Sequence, residues 1–233
     1  MPITNKTKAT IEAITQHCTD TRSFLLRLEK PFSYAAGQFL MVSIPHSGRL
    51  VRRSYSIASP PGNEMLEICL NYLPSGAASE FLFNANEGTP VEVDGPYGVF
   101  TVKSSSRDRL FIATGTGIAP IRAMIMDLLQ QPLPQRITLI FGERTEAELL
   151  YRKEFEAIAQ KHHHFRYVPV LSRAAGSWDG ERGYVQDAMQ KYLKAPKEVD
   201  VYICGLRDMV DDVKGKLLAM GVDARNILTE KFV

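Results

Sequence analysis

The sequence predicts two folds in tandem: an antiparallel β-rich domain, barrel or sandwich, followed by a doubly wound α/β domain with a five-stranded parallel sheet. Three observations predict it. From about Lys8 to Val102, strand-length apolar segments are punctuated at short intervals by Gly, Pro, Asn and Ser, the texture of antiparallel strands and turns. The polar run Lys103-Ser104-Ser105-Ser106-Arg107-Asp108 then interrupts the chain. Beyond it, apolar strand-length runs alternate with stretches of helical periodicity, as in a parallel sheet covered by helices. The boundary falls near residues 103–107, giving domains 1–104 and 105–233.

In the first domain, residues 23–28, 38–44, 65–70 and 90–93 read as strands, and 78–84 as an inserted helix. In the second, strand 109–113 leads through a glycine turn into a helix at 120–131. Pro120 suits the first helical turn, and Ile121, Ile125, Leu128 and Leu129 share one helical face. Strand 137–141 follows, then a helix from about Glu146, where Thr145 and Glu148 have capping-box spacing. Strand 167–171, helix 184–192, strand 199–203, helix 208–220 and strand 227–232 complete the alternation. Gly221 is a good residue to end the last helix.

Composition narrows the class. Hydrophobic residues at 45% and charged residues at 23% are the mix of a soluble globular protein. No apolar run approaches the ~18 residues of a membrane span. Met1-Pro2-Ile3-Thr4-Asn5-Lys6 has no apolar stretch behind its basic residue, so it does not read as a signal peptide, and a cytoplasmic location is expected. The widely spaced Cys18, Cys69 and Cys204 provide no disulfide framework and no four-thiolate iron–sulfur site. If the protein moves single electrons, their acceptor is on another chain. A formal net charge of +2 does not point to nucleic acid. The charge is uneven, however: residues 1–60 hold eight Lys/Arg against three Asp/Glu, and residues 61–103 hold one against six.

Two turns have the chemistry to meet a phosphate. Thr114-Gly115-Thr116-Gly117-Ile118-Ala119-Pro120 follows the first strand of the α/β half, where ligands of open sheets bind. Its glycines permit close approach, and the next helix aims N–H groups at an anion. The spacing is not a full G-x-G-x-x-G, and a purely structural turn explains it equally well. Ser75-Gly76-Ala77-Ala78-Ser79 opens the helix of the β-rich half and reads either as a second anion site or as an ordinary N-cap. The run His162-His163-His164 does not converge on one ion and reads as solvated surface, so no metal is expected.

Read together, these elements resemble a known family. Arg53-Ser54-Tyr55-Ser56 followed by Gly76-Ala77-Ala78-Ser79 is similar to the paired flavin signatures of the ferredoxin–NADP reductase superfamily. Gly115-Thr116-Gly117-Ile118-Ala119-Pro120 resembles its nicotinamide-side glycine loop, and Cys204-Gly205-Leu206-Arg207-Asp208-Met209 its later C-G-x-x-x-M element. The resemblance runs from about residue 8 to residue 233 in the family's order. It implies a Greek-key β-barrel that binds FAD and an α/β domain that binds NADP(H). Tyr55 would stack on the isoalloxazine, Ser56 would hydrogen-bond near its reactive nitrogen, and Arg53 would meet the pyrophosphate. Gly76, Ala77, Ala78 and Ser79 would hold the same pyrophosphate by backbone amides and hydroxyl. Cys69, Leu70 and Asn71 match a strand that gives main-chain contacts to the flavin. Thr114, Gly115, Thr116 and Gly117 would lie beneath the coenzyme pyrophosphate, and Cys204, beside Gly205, would touch the nicotinamide. Glu230 and Phe232 match in spacing a glutamate beside the nicotinamide and an aromatic that covers the flavin. The family often has Tyr there, and Val233 extends one residue further. The short loop 72–75 departs from relatives that clamp the adenine.

For the coenzyme, Ser172, Arg173, Arg182 and Tyr184 match the Ser-Arg pair, following basic residue and stacking aromatic of NADP-dependent members, with Arg144 as a further cation. Glu143 is the acidic alternative that would favour NAD(H). The implied activity is hydride transfer between NADP(H) and FAD, with single electrons passed to or from a ferredoxin or flavodoxin by a monomer. The alternatives are an NADH-dependent reductase component of an oxygenase, a free-flavin reductase and a non-catalytic flavin-binding module. Arg22, Arg27, Lys30, Arg49 and Arg52 are the cations expected to receive an acidic redox partner.

Overall fold

A computed structural model describes residues 5–132 and 134–232. The leader reading of Met1–Thr4 and the extra residue Val233 lie outside them. The chain forms two compact units, Met1–Val102 with Arg122–Gln130, and Lys103–Ile121 with Gln131–Val233.

The first unit is a curled antiparallel sheet of six strands: β1 Asn5–Cys18, β2 Thr21–Leu28, β3 Phe39–His46, β4 Arg49–Ser56, β5 Met65–Asn71 and β6 Pro90–Tyr97. Their spatial order, β4-β3-β6-β1-β2-β5, is a Greek key. The sheet curls far enough for its two edges to share one bridge, Ile57 with Ile68. The core follows the two-residue period of a strand. Phe24, Leu26 and Leu28 on β2, Leu40, Val42 and Ile44 on β3, and Leu66, Ile68 and Leu70 on β5 point inward together. Helix α1, Ala77–Asn84, covers this core with Ala78 and Leu82. Strands β1 and β4 are the two that sequence reading did not delimit. In β4 the reason is plain: only Ser56 is buried, and Arg49, Leu50, Arg52, Arg53 and Ser54 are exposed. It therefore carries no alternating apolar signal.

The second unit is a parallel sheet in the order β10-β9-β8-β7-β11-β12. Its strands are β7 Asp108–Thr114, β8 Ile137–Glu143, β9 Phe165–Leu171, β10 Glu181–Arg182, β11 Val199–Leu206 and β12 Ile227–Phe232. The two-residue β10 extends the five strands expected. Helices α2 Ile118–Leu129, α3 Arg152–Lys161, α4 Val185–Tyr192 and α5 Arg207–Ala219 connect them. Alternation along β9 shows that the sheet is covered on both faces. Phe165 and Tyr167 meet Phe155 of α3, while Val168 and Val170 join Val185 and Met189 of α4 and Val213 of α5. The helix expected from Glu146 is a single turn, Glu146–Glu148, and α3 starts later. The capping box does form, with Glu148 accepting from the Thr145 N–H and hydroxyl at 2.8 Å each. Tyr151, at φ 55°, then breaks the run. Helix α5 ends as expected: Gly221 takes φ 87°, and Val222 and Gly221 donate to Leu217 and Leu218, the Schellman arrangement.

Candidate functional site

In the first unit the flavin-signature residues lie on an edge strand and at a helix start. Strand β4 pairs only with β3, which sets Tyr55 opposite Leu40 and Ser56 opposite Phe39. Tyr55 is half-buried against the barrel core. Burial pushes its phenol up to about 12, with Arg53 opposing the shift, so the ring is neutral with a polar tip, as a stacking partner should be. Ser56 is buried. Arg53 is exposed, and one guanidinium nitrogen donates to the Arg52 carbonyl at 2.9 Å. Cys69 and Leu70 are buried on the other edge strand, β5. Asn71 ends that strand with its side-chain oxygen accepting the Thr21 hydroxyl at 2.8 Å, so its side chain holds two strands together.

At the α1 start, the Ser79 hydroxyl does something other than expected. It lies 2.8 Å from the Leu73 carbonyl and 2.9 Å from that of Gly76, and it accepts the Leu73 N–H at 3.0 Å. A hydroxyl has one proton to give, and here the loop takes it. Ser79 therefore shapes the turn and has no proton for a phosphate. Gly76 is required by the same turn, because a Cβ there would fall 2.8 Å from Ser79 Oγ and 2.9 Å from the Leu73 oxygen. Ser75, at φ 61°, is fastened by its N–H to Glu80. The N–H groups of Ala77, Ala78 and Ser79 point out of the helix start with no acceptor among the described residues. These amides, the Arg53 fork and the neutral Tyr55 ring are a donor set that fits a flavin carrying a pyrophosphate.

In the second unit the chain order reverses between β7 and β11, and the two turns beyond their C-terminal ends interlock. A Cβ on Gly117 would lie 2.4 Å from the Cys204 carbonyl oxygen, and one on Gly205, at φ +146°, would lie 2.4 Å from Thr114 Oγ1. Gly115 has φ +56° and open space before its α-carbon. Thr114 Oγ1 is buried and has no partner among the described residues, an omission that a polar ligand atom would correct. Cys204 sits between Ala113 of β7 and Glu230 of β12 and is fully buried. Burial, then the Glu230 carboxylate, pushes its thiol well above the usual range. The shift favours the neutral thiol over the thiolate. Glu230 and Phe232 are both half-buried and, two residues apart on a strand, share one face.

The residues expected to select the coenzyme gather near the ends of β8 and β9. Ser172 N–H donates to the Glu143 carbonyl at 3.0 Å and Arg173 N–H to that of Arg144 at 2.8 Å, tying the two loops together. The side chains of Arg144, Arg173 and Tyr184 are exposed, Tyr184 by 62%, a cationic and aromatic surface suited to a phosphorylated adenosine. Arg182 departs from expectation: its guanidinium donates to the carbonyls of Ala174, Ala175, Gly176 and Trp178. Sequence reading passed over Trp178, the only tryptophan, although it stands between the Ser-Arg pair and Arg182.

The cations expected to face a redox partner are mostly engaged within the first unit. Arg22 donates to Gln16 and to the Phe83 carbonyl and lies 4.6 Å from the Phe83 ring. Arg27 pairs with Glu12 at 2.9 Å and Arg52 with Asp94 at 2.6 Å. Among the described residues no three His, Cys, Asp or Glu side chains could hold a metal ion, and no helix is long and apolar enough to cross a membrane.

Comparison with known proteins agrees with this geometry. An "Oxidoreductase FAD-binding domain" family matches residues 8–102, and an "Oxidoreductase NAD-binding domain" family matches residues 111–215. Ferredoxin–NADP reductase B of Sorangium cellulosum is 34% identical over 212 residues, 87% of each chain. The chain belongs to the ferredoxin–NADP reductase superfamily. As a member it is an oxidoreductase with one domain for FAD and one for a nicotinamide dinucleotide. Another member, the phenol 2-monooxygenase reductase component DmpP of Pseudomonas, is 32% identical across 97% of this chain, which spans 65% of that protein. The solved Amycolatopsis cytochrome P450 reductase GcoB superposes with a TM-score of 0.90 at 29% identity, covering 98% of this chain and 70% of GcoB.

Proposed function

We propose that this chain is an NADPH-dependent FAD reductase that exchanges single electrons with a ferredoxin or flavodoxin. The observation that carries the coenzyme choice is the exposed set Arg144, Arg173 and Tyr184, the two arginines joined by a main-chain bond between the β8 and β9 loops. The 2′-phosphate of NADPH needs such cations. Glu143, which would grip free ribose hydroxyls in an NAD enzyme, is only half-exposed.

FAD held by the flavin-signature residues would supply hydride acceptance from the nicotinamide and one-electron release. The chain supplies binding and orientation. Tyr55 stacks on the ring and Ser56 hydrogen-bonds its edge, with main-chain contacts from Cys69, Leu70 and Asn71. Arg53 and the α1 amides of Ala77, Ala78 and Ser79 neutralise the pyrophosphate. Thr114, Gly115, Thr116 and Gly117 cradle the coenzyme, the Thr114 hydroxyl gaining the partner it lacks among the described residues. Cys204 and Glu230 border the nicotinamide. Among the described residues Cys18, Cys69 and Cys204 form no disulfide, which supports work in a reducing compartment such as the cytoplasm.

Anaerobic titration of the flavoprotein with NADPH and with NADH tests the reading: NADPH should bleach the flavin at the lower concentration. Preference for NADH would replace it with the second reading, an oxygenase reductase component, which the match to DmpP favours.

A further inference from the structure

Arg182 belongs to the two-residue strand β10, beside Leu171 at the end of β9. Between them the chain makes a loop that begins at Ser172 and Arg173. Arg182 turns its guanidinium back on this loop, with Nη1 donating to Ala174 at 3.3 Å and Nη2 to Ala175 at 3.0 Å, Gly176 at 3.3 Å and Trp178 at 2.6 Å. One planar fork thus serves four carbonyls, with the two Nη2 protons shared among three of them.

The rest of the loop is built around the same tie. Trp178 is buried, its indole N–H donates to the Glu181 carbonyl at 3.0 Å, and the Arg152 guanidinium lies 5.3 Å from its ring. A Cβ on Gly180 would fall 2.6 Å from the indole. The Glu181 carboxylate is held by Lys191 at 2.6 Å and Tyr192 at 2.9 Å. The loop is thus anchored at its far end by Trp178 and Arg182. At its near end the Arg144 and Glu143 carbonyls hold Arg173 and Ser172.

We propose that Arg182 is a positioning residue: it braces the loop that presents Ser172 and Arg173 to the coenzyme, and it is not itself a ligand of the 2′-phosphate. This rests on the NADPH reading above. A phosphate ligand would hold its Nη groups outward, whereas these face their own main chain.

The test uses the flavoprotein and two readouts. Trp178 is the only tryptophan, so emission excited at long wavelength reports its burial without any coenzyme. Arg182→Ala should shift that emission to the red, and Arg182→Lys, which keeps the charge but not the fork, should do the same should the alanine variant fail to fold. In the kinetic arm, Arg173→Ala should raise the KM for NADPH about tenfold, the scale of one charge-assisted hydrogen bond. In the Arg182→Ala background the same change should cost less than about threefold, because Arg173 is already displaced. Unshifted Trp178 emission, or penalties that simply multiply, would overturn the assignment. Should Arg173→Ala affect NADPH and NADH equally in the parent, the coenzyme reading fails instead, and the emission arm still decides whether Arg182 braces the loop.

Discussion

Replacing Gly117 with Ala asks whether the interlock of the β7 and β11 turns is as tight as it looks. The added Cβ would lie 2.4 Å from the Cys204 oxygen, 2.6 Å from its carbonyl carbon and 2.7 Å from the Gly205 nitrogen. All three are main-chain atoms of a buried parallel strand, so none can rotate away as a side chain would. Overpacking of this kind costs roughly 1–3 kcal/mol when neighbours can adjust, and a main-chain clash belongs at or above the upper end. At about 2–4 °C per kcal/mol for a chain of this size, ~3 kcal/mol lowers the melting temperature by roughly 6–12 °C. Gly115→Ala is the internal control. Its Cβ would enter open space, and only the φ of +56° is strained, at about 1–2 kcal/mol. Thermal unfolding followed by circular dichroism should therefore rank Gly117→Ala below Gly115→Ala and both below the parent. The opposite order, or a Gly117→Ala variant that melts with the parent, would refute the argument from the Cys204 contact.

Three further outcomes are expected. Arg53→Ala should weaken FAD binding about 10- to 150-fold, the equivalent of a charge-assisted contact of ~1.5–3 kcal/mol, read from flavin fluorescence on titration of the apoprotein; unchanged affinity would remove Arg53 from the site. Burial raises the phenols of Tyr34 and Tyr55 to about 12 each, so their neutral forms stabilise the first unit below the ordinary tyrosine value near 10, and that stability is lost as pH rises from 10 through 12. Urea denaturation at rising alkaline pH should show the decline, and Tyr55→Phe should flatten it; an equal slope in the variant would count against a buried phenol. Arg144→Ala should raise the KM for NADPH more than that for NADH in steady-state assays, while equal effects would make Arg144 a surface charge only.

Some of this protein could be read from residue order alone. Two-residue alternation in β2, β3 and β5, and helical spacing of Ile121, Ile125 and Leu128, are local signals because burial on one face forces them. The short signatures at Arg53–Ser56, Gly76–Ser79, Gly115–Gly117 and Cys204–Gly205 carried the family, since a phosphate or flavin contact needs particular residue types at fixed offsets. Exposed β4 gave no such signal, and the Tyr151 break in the helix expected from Glu146 depends on how Leu149 and Leu150 find burial. What individual polar groups do was decided by tertiary structure. Ser79 and Arg182 have the right identities for phosphate binding, yet one gives its proton to a loop carbonyl and the other its fork to four. The excess of basic residues before position 60 was countable, but Glu12 and Asp94, brought across the sheet by strand pairing, take up Arg27 and Arg52. A sequence states which donors and charges exist; only the folded chain determines which acceptors reach them first.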